Sequence, residues 1–165
     1  MKQIETERLV LRRFKLSDAI HMSKLFFDEK SMYRLSLGKP FESFAQVEHI
    51  MDNWGKDEGR FAIAMKSSNV PVGYAAVQRC GDRGELSLAS IPGYRGMGFV
   101  KEAAEALVTN MPSFGVKALD AHILKGNDAI QSLLEDVGFI YKGEEVAPFS
   151  SSQHRILWYA IDAEE

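Results

Sequence analysis

The residue types that best suggest chemistry lie in a glycine-containing loop near the middle of the chain. Gly93, Gly96 and Gly98 stand between a short apolar run and a long amphipathic pattern, and we call residues 93–98 the glycine loop. Glycine lets the backbone turn tightly and approach a ligand without interference from a Cβ atom. The free N–H groups and positive dipole end of a following helix would bind an anion. Because Arg95 adds a permanent, fork-shaped cation, the pattern favours a pyrophosphate-binding loop between a strand and a helix.

The loop sequence alone leaves its role open. Glycines at a strand–helix junction also fit an ordinary turn. No Lys-Ser or Lys-Thr pair follows them, which argues against a P-loop, and the three-glycine dinucleotide spacing is absent. An anion-binding loop and a plain turn therefore remain alternatives on these residues alone.

Length and composition are those of an ordinary globular chain. The 165 residues fit one domain, 1–165, and 45% apolar with 26% charged residues is usual for such proteins. A net charge of −3 without a basic run gives no electrostatic footprint for nucleic acid. No stretch approaches the ~20 apolar residues of a membrane span, and the start is unlike a signal peptide. We therefore expect a cytoplasmic protein with no nucleic-acid or membrane partner.

Cysteine usage limits the possible metal and redox chemistry. Cys80 is the only cysteine, so disulfide frameworks and cysteine-based zinc sites are excluded within one chain. It lies in a tight turn, where an incidental thiol is more common than a nucleophile. We expect no metal site.

Strand-like and helix-like periods alternate along the chain. Seven strands are predicted, at 8–14, 61–65, 72–77, 85–91, 118–124, 139–146 and 156–161. Four helices are also predicted. The first is capped by Ser17, and its apolar set is Ile20, Leu25, Phe26 and Phe27; the second, at 43–54, has an apolar stripe of Phe44, Val47, Ile50, Met51 and Trp54. The third carries Val100 to Met111, and the fourth is capped by Asn127 or Asp128.

The three strands from 61 to 91 fit an antiparallel meander. The strand–glycine loop–helix–strand unit after them requires a right-handed crossover, which favours parallel pairing. The fold class is α+β with a mixed sheet.

Three separated stretches resemble the GNAT acyl-CoA N-acyltransferases. They are Ile4–Arg12 (IETERLVLR), the segment from Gly84 through the glycine loop to Ala103, and Asn127-Asp128-Ala129 followed by Gly138-Phe139. They occur in the family's order, cover nearly the whole chain and are most similar to the ribosomal-protein N-acetyltransferases of the RimJ/RimL type. The resemblance implies a GNAT-like, mostly antiparallel sheet of about seven strands flanked by about four helices. It also implies acetyl-CoA as the cosubstrate.

The same resemblance assigns the residues that would bind acetyl-CoA. The strand before the glycine loop would pair with the pantetheine arm, with Ser90 and Ile91 nearest to it. Backbone N–H groups would hold the pyrophosphate together with Arg95, and these donors belong to Gly96, Met97, Gly98, Phe99 and Val100. Asn127 would contact the CoA arm, and a helix N-cap is its alternative role.

Acetyl transfer to an amine depends on positioning two reactants and stabilising an oxyanion. Glu85 is the first candidate for a base, because the family often places a carboxylate or a base-linked water there; a solvated strand-end glutamate is the alternative. His122 lies within the next strand, where an imidazole can act as a base or simply pack or face outward. An α-amine of pKa ~7.8 is partly neutral at pH 7, so it needs only weak or water-mediated base catalysis.

The general acid is not identified by the resemblance. Leu134 stands where many relatives carry a tyrosine, and Ile130 stands where the ribosomal-protein branch often has serine. Neither side chain can protonate a thiolate. The two N-terminal helices, which line the acceptor groove in this family, carry Phe44, Trp54 and the Met32-Tyr33 pair, although Trp54 fits a core position equally well.

We therefore predict an N-acetyltransferase that transfers an acetyl group from acetyl-CoA to a primary amine by direct attack in a ternary complex. The acceptor stays open between a protein N-terminal amine and a small-molecule amine. A non-catalytic acyl-CoA-binding or regulatory module is a second hypothesis, which Leu134 and Ile130 favour. A phosphate- or nucleotide-binding domain that uses the same loop is a third. The number of subunits is open, with a homodimer as one alternative.

Overall fold

The computed structural model describes residues 3–35, 37–146 and 154–164, in which eight strands form one sheet. The strands are β1 (Ile4–Glu5), β2 (Leu9–Arg12), β3 (Arg60–Met65), β4 (Pro71–Cys80), β5 (Arg83–Ser90), β6 (Ala118–Leu124), β7 (Ile140–Val146) and β8 (Arg155–Asp162). The helices are α1 (Ala19–Phe26), α2 (Glu29–Arg34), α3 (Phe44–Gly55), α4 (Phe99–Thr109) and α5 (Asp128–Val137), with 3-10 turns at Leu16–Asp18 and Met111–Phe114. None of the helices in these described ranges combines the length and the apolar character that a membrane span requires.

The sheet is mixed but almost entirely antiparallel. Its strand order is β1-β2-β3-β4-β5-β6-β8-β7, and only β5 and β6 run parallel. Helix α4 connects these two strands, so the predicted parallel pairing is confirmed, as is the predicted antiparallel meander β3-β4-β5. The two-residue strand β1 and the helix α2 raise the observed totals above the predicted seven strands and four helices.

Hydrophobic cores cover both faces of the sheet. Successive side chains of a strand point to opposite faces, so Ala62 and Ile63 of β3 belong to different cores. One core contains the buried side chains of α4 and α5, and the other contains those of α1, α2 and α3. The sheet is thus held between two layers of helices, one on each face.

The start of α1 differs from the prediction. The helix begins at Ala19, after a 3-10 turn, and Ser17 does not cap it. The carboxylate of Asp18 accepts from the Lys15 N–H at 2.8 Å and from both Nη atoms of Arg12 at 2.8 Å. This buried ion pair uses Asp18 to tie β2 to the start of α1.

The same ion pair explains an error in the predicted core. With Asp18 turned inward, the buried positions of α1 are Ala19, Met22, Leu25 and Phe26. Ile20 and Phe27, which the apolar pattern assigns to the core, are 64% and 44% exposed. The Arg12–Asp18 ion pair, and not the apolar periodicity of the helix, sets the rotation of this helix.

Helix α2 is separate from α1 because the helical conformation ends at Phe26 and begins again after Asp28. That residue has an extended conformation, and its carboxylate accepts from the Ser31 N–H at 3.0 Å. Asp28 is therefore a side-chain N-cap, which begins a new helix at Glu29.

Helices α3 and α4 follow their predicted patterns with small changes at their ends. Ser43 and Gln46 form the capping box of α3, whose buried stripe is Val47, Met51 and Trp54. Phe44 is exposed because burial begins one turn later, at Val47. Helix α4 ends at Thr109, and buried Met111 begins the following 3-10 turn, since Pro112 cannot continue an α-helix.

Thr6, Arg8 and Glu102 connect the N-terminal segment to the start of α4, and we call these three residues the loop clamp. The Glu102 carboxylate accepts from the Thr6 hydroxyl, from the Arg8 N–H at 3.0 Å and from the Arg8 Nε at 2.7 Å. The Arg8 Nη1 donates to the Met97 carbonyl at 3.0 Å, and its guanidinium lies 4.6 Å from the Phe99 ring centroid. The loop clamp therefore anchors the glycine loop.

The loop clamp depends on an ionised carboxylate. Burial acts to raise the pKa of Glu102, but the hydrogen bonds from Thr6 and Arg8 outweigh it, and the net effect lowers the pKa from its usual 4.5. The contribution to the free energy of unfolding is therefore fully present above pH 4.5 and is lost as the pH falls through the lowered value.

We expect Glu102→Gln to reduce the free energy of unfolding by about 1 kcal/mol at neutral pH, because a neutral amide weakens the charge-assisted hydrogen bonds. The difference from the wild type should shrink as the pH falls from 4.5 through the lowered pKa of Glu102, where the wild type loses the same charge. Urea denaturation at both pH values measures this. Glu105→Gln, at an exposed position of the same helix, is the control. An equal loss at both pH values would contradict the electrostatic explanation.

Candidate active site

Strands β5 and β6 pair over only three residues and then diverge. The last pair is Glu85 with Asp120, although β5 continues to Ser90 alongside β4 and β6 continues to Leu124 alongside β8. A cleft of about 370 Å³ lies between the diverging strands. One edge of each strand is therefore open toward the cleft.

The open edge of β5 offers backbone hydrogen-bonding groups. The Ile91 N–H donates to the Val72 carbonyl at 2.9 Å, away from the cleft. Alternate residues of a strand direct their backbone groups to opposite sides, so those of Leu88 and Ser90 point toward the cleft. Ser90 lines the cleft, whereas the fully buried side chain of Ile91 lies in the core of α1–α3.

The glycine loop lies at the mouth of the cleft. Its three glycines have φ values of 104°, 81° and 77°, all in the left-handed region that favours glycine. A Cβ atom on Gly96 would meet no other atom within 4 Å, so the loop leaves open space beside its backbone. Gly98 is the N-cap of α4, and its carbonyl accepts the first intrahelical bond, from the Glu102 N–H at 3.1 Å.

Most of the predicted pyrophosphate-binding residues line this cleft. Arg95, Gly96, Gly98, Phe99 and Val100 contribute to its wall, and the N–H groups of the first turn of α4 have no intrahelical acceptor. Met97 is 52% exposed and does not line it. The arrangement combines a helix N-terminus with left-handed glycines, which suits an anion.

Three cationic side chains line the cleft although the whole chain is acidic. Besides Arg95, they are Arg34 of α2 and Lys101 of α4, neither of which the sequence assigned to the site. The Lys101 Nζ lies 4.0 Å from an oxygen of Asp136. The sequence signal for Lys101 was its place in the loop–helix motif. Arg34 directly follows the Met32-Tyr33 pair, which the resemblance placed near the acceptor groove, but Arg34 itself was not singled out. This local positive charge suits a phosphate-bearing ligand.

Asn127 is a buried amide directed at the cleft. It is 9% exposed, lines the cleft and occupies the N-cap position of α5 without making a side-chain cap bond. Its side chain makes no hydrogen bond to any residue in the described ranges. Among the described residues no fully buried side-chain N or O atom lacks a hydrogen-bond partner, so the amide atoms of Asn127 reach the open cleft, where they can bind a ligand. The glycine loop, the open β5 edge and Asn127 together fit an acyl-CoA.

Glu85 and His122 meet at the apex, where β5 and β6 part. The His122 Nδ1 lies 2.8 and 3.0 Å from the two Glu85 oxygens, and the His122 backbone N–H donates to Oε1 at 3.2 Å. Both side chains are about one-third exposed, and His122 lines the cleft. Because an ionised carboxylate only accepts, Nδ1 is assigned as the donor, which turns Nε2 away from Glu85.

Burial shapes the titration of Glu85. Desolvation raises the pKa of Glu85, and the hydrogen bonds from His122 act against that rise. The His122 Nε2 lies 3.6 Å from an oxygen of Glu145, on β7. The Nδ1 is hydrogen-bonded to a carboxylate, and Nε2 makes no hydrogen bond to a described residue although Glu145 lies beside it. This is the arrangement of a general base with its orienting partner.

A further set of side chains, which sequence reasoning missed, supports His122. The Trp158 ring lies parallel to the His122 ring with centroids 6.1 Å apart, and its Nε1 donates to Asp120 at 2.9 Å. Asp120 accepts two bonds of 2.7 Å from Arg83, the main cause of its lowered pKa. Trp158 belongs to β8, opposite His122, so only strand pairing brings the two rings together.

Helix α5 presents an apolar wall to the cleft. Ile130, Leu133 and Leu134 line it, and Leu134 is fully buried. In the described part of α5 no hydroxyl side chain reaches the cleft lining. Within the same described ranges, no three His, Cys, Asp or Glu side chains are grouped to hold a metal ion.

The suggested acceptor-groove residues separate into two groups. Trp54 and Met32 are core residues, and the Trp54 ring packs 4.7 Å from that of Tyr74. Tyr33 is exposed, and its hydroxyl lies 2.7 Å from a ring nitrogen of His154. The core role of Trp54 is therefore the correct one.

Comparisons with known proteins agree with this geometry. The family model of the acetyltransferase (GNAT) domain matches residues 8–140. No protein of curated function matches the sequence. A GNAT-family acetyltransferase from Bacillus anthracis has a TM-score of 0.88 at 21% identity, covering 99% of this chain and all of the other.

Two further solved structures share the fold at low identity. Spermidine N-acetyltransferase from Vibrio cholerae, in complex with CoA and spermine, has a TM-score of 0.79 at 18% identity over 95% of this chain and 96% of the other. Ribosomal-protein-S5-alanine acetyltransferase from Vibrio fischeri has a TM-score of 0.76 at 16% identity over 100% and 98%. Since the family model spans most of the chain, the protein belongs to the GNAT acetyltransferase family and is an acetyl-CoA-dependent acyltransferase.

Proposed function

We propose that this chain is a single GNAT-type domain, residues 1–165, which transfers the acetyl group of acetyl-CoA to a primary amine by direct attack in a ternary complex. The observation that carries the proposal is the cleft between β5 and β6. It has an anion-binding loop at its mouth and an imidazole–carboxylate pair at its apex.

The residues around the cleft would bind acetyl-CoA from one end to the other. Backbone N–H groups of the glycine loop and the first turn of α4, with Arg95, would hold the pyrophosphate. The open edge around Leu88 and Ser90 would pair with the pantetheine amides, and the side chain of Asn127 would satisfy its hydrogen bonds on the same arm. When bound, the cosubstrate supplies an acyl group activated as a thioester.

The side chains that would transfer protons lie on the sheet side of the cleft. His122 Nε2 would accept a proton from the amine as the amine attacks, while Glu85 holds Nδ1–H and stabilises the imidazolium. No hydroxyl of helix α5 lines the cleft, so the same Nε2 is our candidate to return a proton to the leaving sulfur. Direct transfer requires no enzyme nucleophile.

The acceptor is a primary amine, either a protein N-terminus or a small molecule. The structural neighbours include an enzyme for a ribosomal-protein alanine, which supports the first class, and a spermidine enzyme, which supports the second. Glu85 and Glu145 flank His122 and would favour a cationic amine of either class.

Binding of the cosubstrate is tested by thermal shift. At 100 times its dissociation constant a ligand stabilises by ~2.7 kcal/mol, so CoA and acetyl-CoA should raise the Tm by several degrees while ATP and NAD do not.

The role of Asn127 is tested by the same measurement. Asn127→Ala should weaken CoA binding about threefold to tenfold through the lost hydrogen bond. Asn53→Ala on α3 is the control. A Tm that responds to ATP or NAD but not to CoA would contradict the proposal.

The role of His122 is tested by steady-state kinetics with a panel of amines. His122→Gln should reduce kcat/KM by about 10²-fold to 10⁴-fold, the usual effect of losing a general base, with CoA binding little changed. His49→Gln, at an exposed position of α3, should behave as the wild type. Full activity of His122→Gln would remove His122 from the mechanism, and no turnover by the wild type with any amine would favour the non-catalytic module.

The pH profile tests the pairing of Glu85 with His122. Activity requires an ionised Glu85, so log kcat/KM should fall at acidic pH as that carboxylate is protonated. Because burial raises the pKa of Glu85, this loss begins at higher pH than for an exposed glutamate. Glu85→Gln should be slower and should lose this part of the acidic fall. An unchanged acidic fall would show that Glu85 does not titrate in the reaction.

A further inference from the structure

The side chain of Arg95 makes its contacts with helix α2 and not with its own loop. Its Nη2 donates to the Ser31 hydroxyl at 3.1 Å and lies 3.7 Å from a carboxylate oxygen of Asp28. Asp28 and Ser31 form the N-terminal cap of α2, with the Asp28 carboxylate accepting from both the Ser31 N–H and the Ser31 hydroxyl. Arg95 is therefore attached to the start of a helix 64 positions away in sequence.

The contacts of Arg95 leave most of its donors available. A guanidinium has five N–H donors in a planar fork, and contacts of Arg95 to the described residues are made through Nη2. The side chain is 46% exposed and lines the cleft. One edge of the guanidinium can thus bind a phosphate while Nη2 remains hydrogen-bonded to Ser31 of α2.

The ion pair is maintained at neutral pH. The side-chain hydrogen bond from Ser31 is the main cause of the lowered pKa of Asp28; burial acts against it and Arg95 adds to it. Asp28 is therefore ionised at neutral pH and can form an ion pair with the Arg95 guanidinium.

Helix α2 crosses the mouth of the cleft. Ser31, Arg34 and Leu35, at the same face of the helix, line the cleft, and Ser31 is the residue that meets Arg95. Near the other end of the helix the Tyr33 hydroxyl contacts His154, just before β8. The helix thus contacts Arg95 of the glycine loop at one end and the residue that precedes β8 near the other.

We infer that Asp28 and Ser31 are positioning residues that hold Arg95 at the pyrophosphate site, so that Arg95 bridges the bound cosubstrate and the start of α2. The inference rests on the proposed function. A long arginine side chain that is already held loses less conformational freedom when it binds a phosphate. Because coupling between two sites is reciprocal, CoA binding orders α2, and an ordered α2 favours CoA.

Hydrogen exchange measured with and without CoA tests this coupling. In the wild type CoA should slow exchange in the first turn of α4 and also, by about twofold to fivefold, in α2, the range that a partly exposed ion pair supports. Asp28→Asn keeps an N-cap for α2 but removes the charge that holds Arg95. This variant should lose the CoA-dependent slowing in α2 and keep it in α4.

Two more variants complete the test. Arg95→Gln should also lose the slowing in α2, with CoA still held by the backbone donors. Asp52→Asn removes an exposed ion pair with Lys56 on α3 and should match the wild type. A variant that merely loosens α2 would exchange faster with and without CoA, whereas loss of the bridge removes the difference between the two.

The outcomes separate this inference from the proposed function. Slowing by CoA in α4 but not in α2 of the wild type would overturn the coupling and leave the proposed function intact. The same result follows if Asp28→Asn retains the full slowing in α2. No slowing in either helix would mean that CoA does not bind at this cleft, which would overturn the proposed function and the coupling with it.

Discussion

The early end of pairing between β5 and β6 is the constraint on which the rest of this structure depends. A strand normally cannot leave its neighbour without exposing unpaired backbone donors. Here the Glu85 carboxylate accepts the His122 backbone N–H at 3.2 Å, directly beyond the last strand pair. The side chain replaces the missing strand partner, so the two strands part without leaving that donor unsatisfied. The same carboxylate orients the His122 ring, so one interaction serves both the opening of the cleft and the proton transfer that we propose.

The elements around the cleft keep it open and aligned. Strand β4 holds β5 to its last residue and β8 holds β6 to its last residue, so neither free edge can collapse onto the other. Helix α4 begins at the mouth, and the loop clamp fixes its first turn to the N-terminal segment through Glu102. Binding groups supported on strands and a helix hold their geometry better than groups on free loops.

Local patterns predicted those parts of the fold that local interactions determine. The range of β6, Ala118–Leu124, was predicted to the residue because alternation and its flanking turns define it. The predicted orientation of α1 about its axis was wrong because the buried ion pair between Arg12 and Asp18 determines which side chains face the core. Glu85 and His122 were separate candidates, since their contact spans 37 positions and no spacing rule links them. Trp158 and Arg34 reach the site only through strand pairing and helix docking.

The apolar face of α5 acquires a different meaning once the cleft is seen. Leu134 and Ile130, taken alone, favour a binding module that has lost a catalytic acid. The structure shows an imidazole–carboxylate pair on the opposite wall, with a tryptophan, an aspartate and an arginine arranged behind it. A module that only bound acyl-CoA would have no use for such a partly exposed, oriented imidazole at the apex. We therefore expect α5 to supply shape and exclusion of water, and the sheet to supply the proton chemistry.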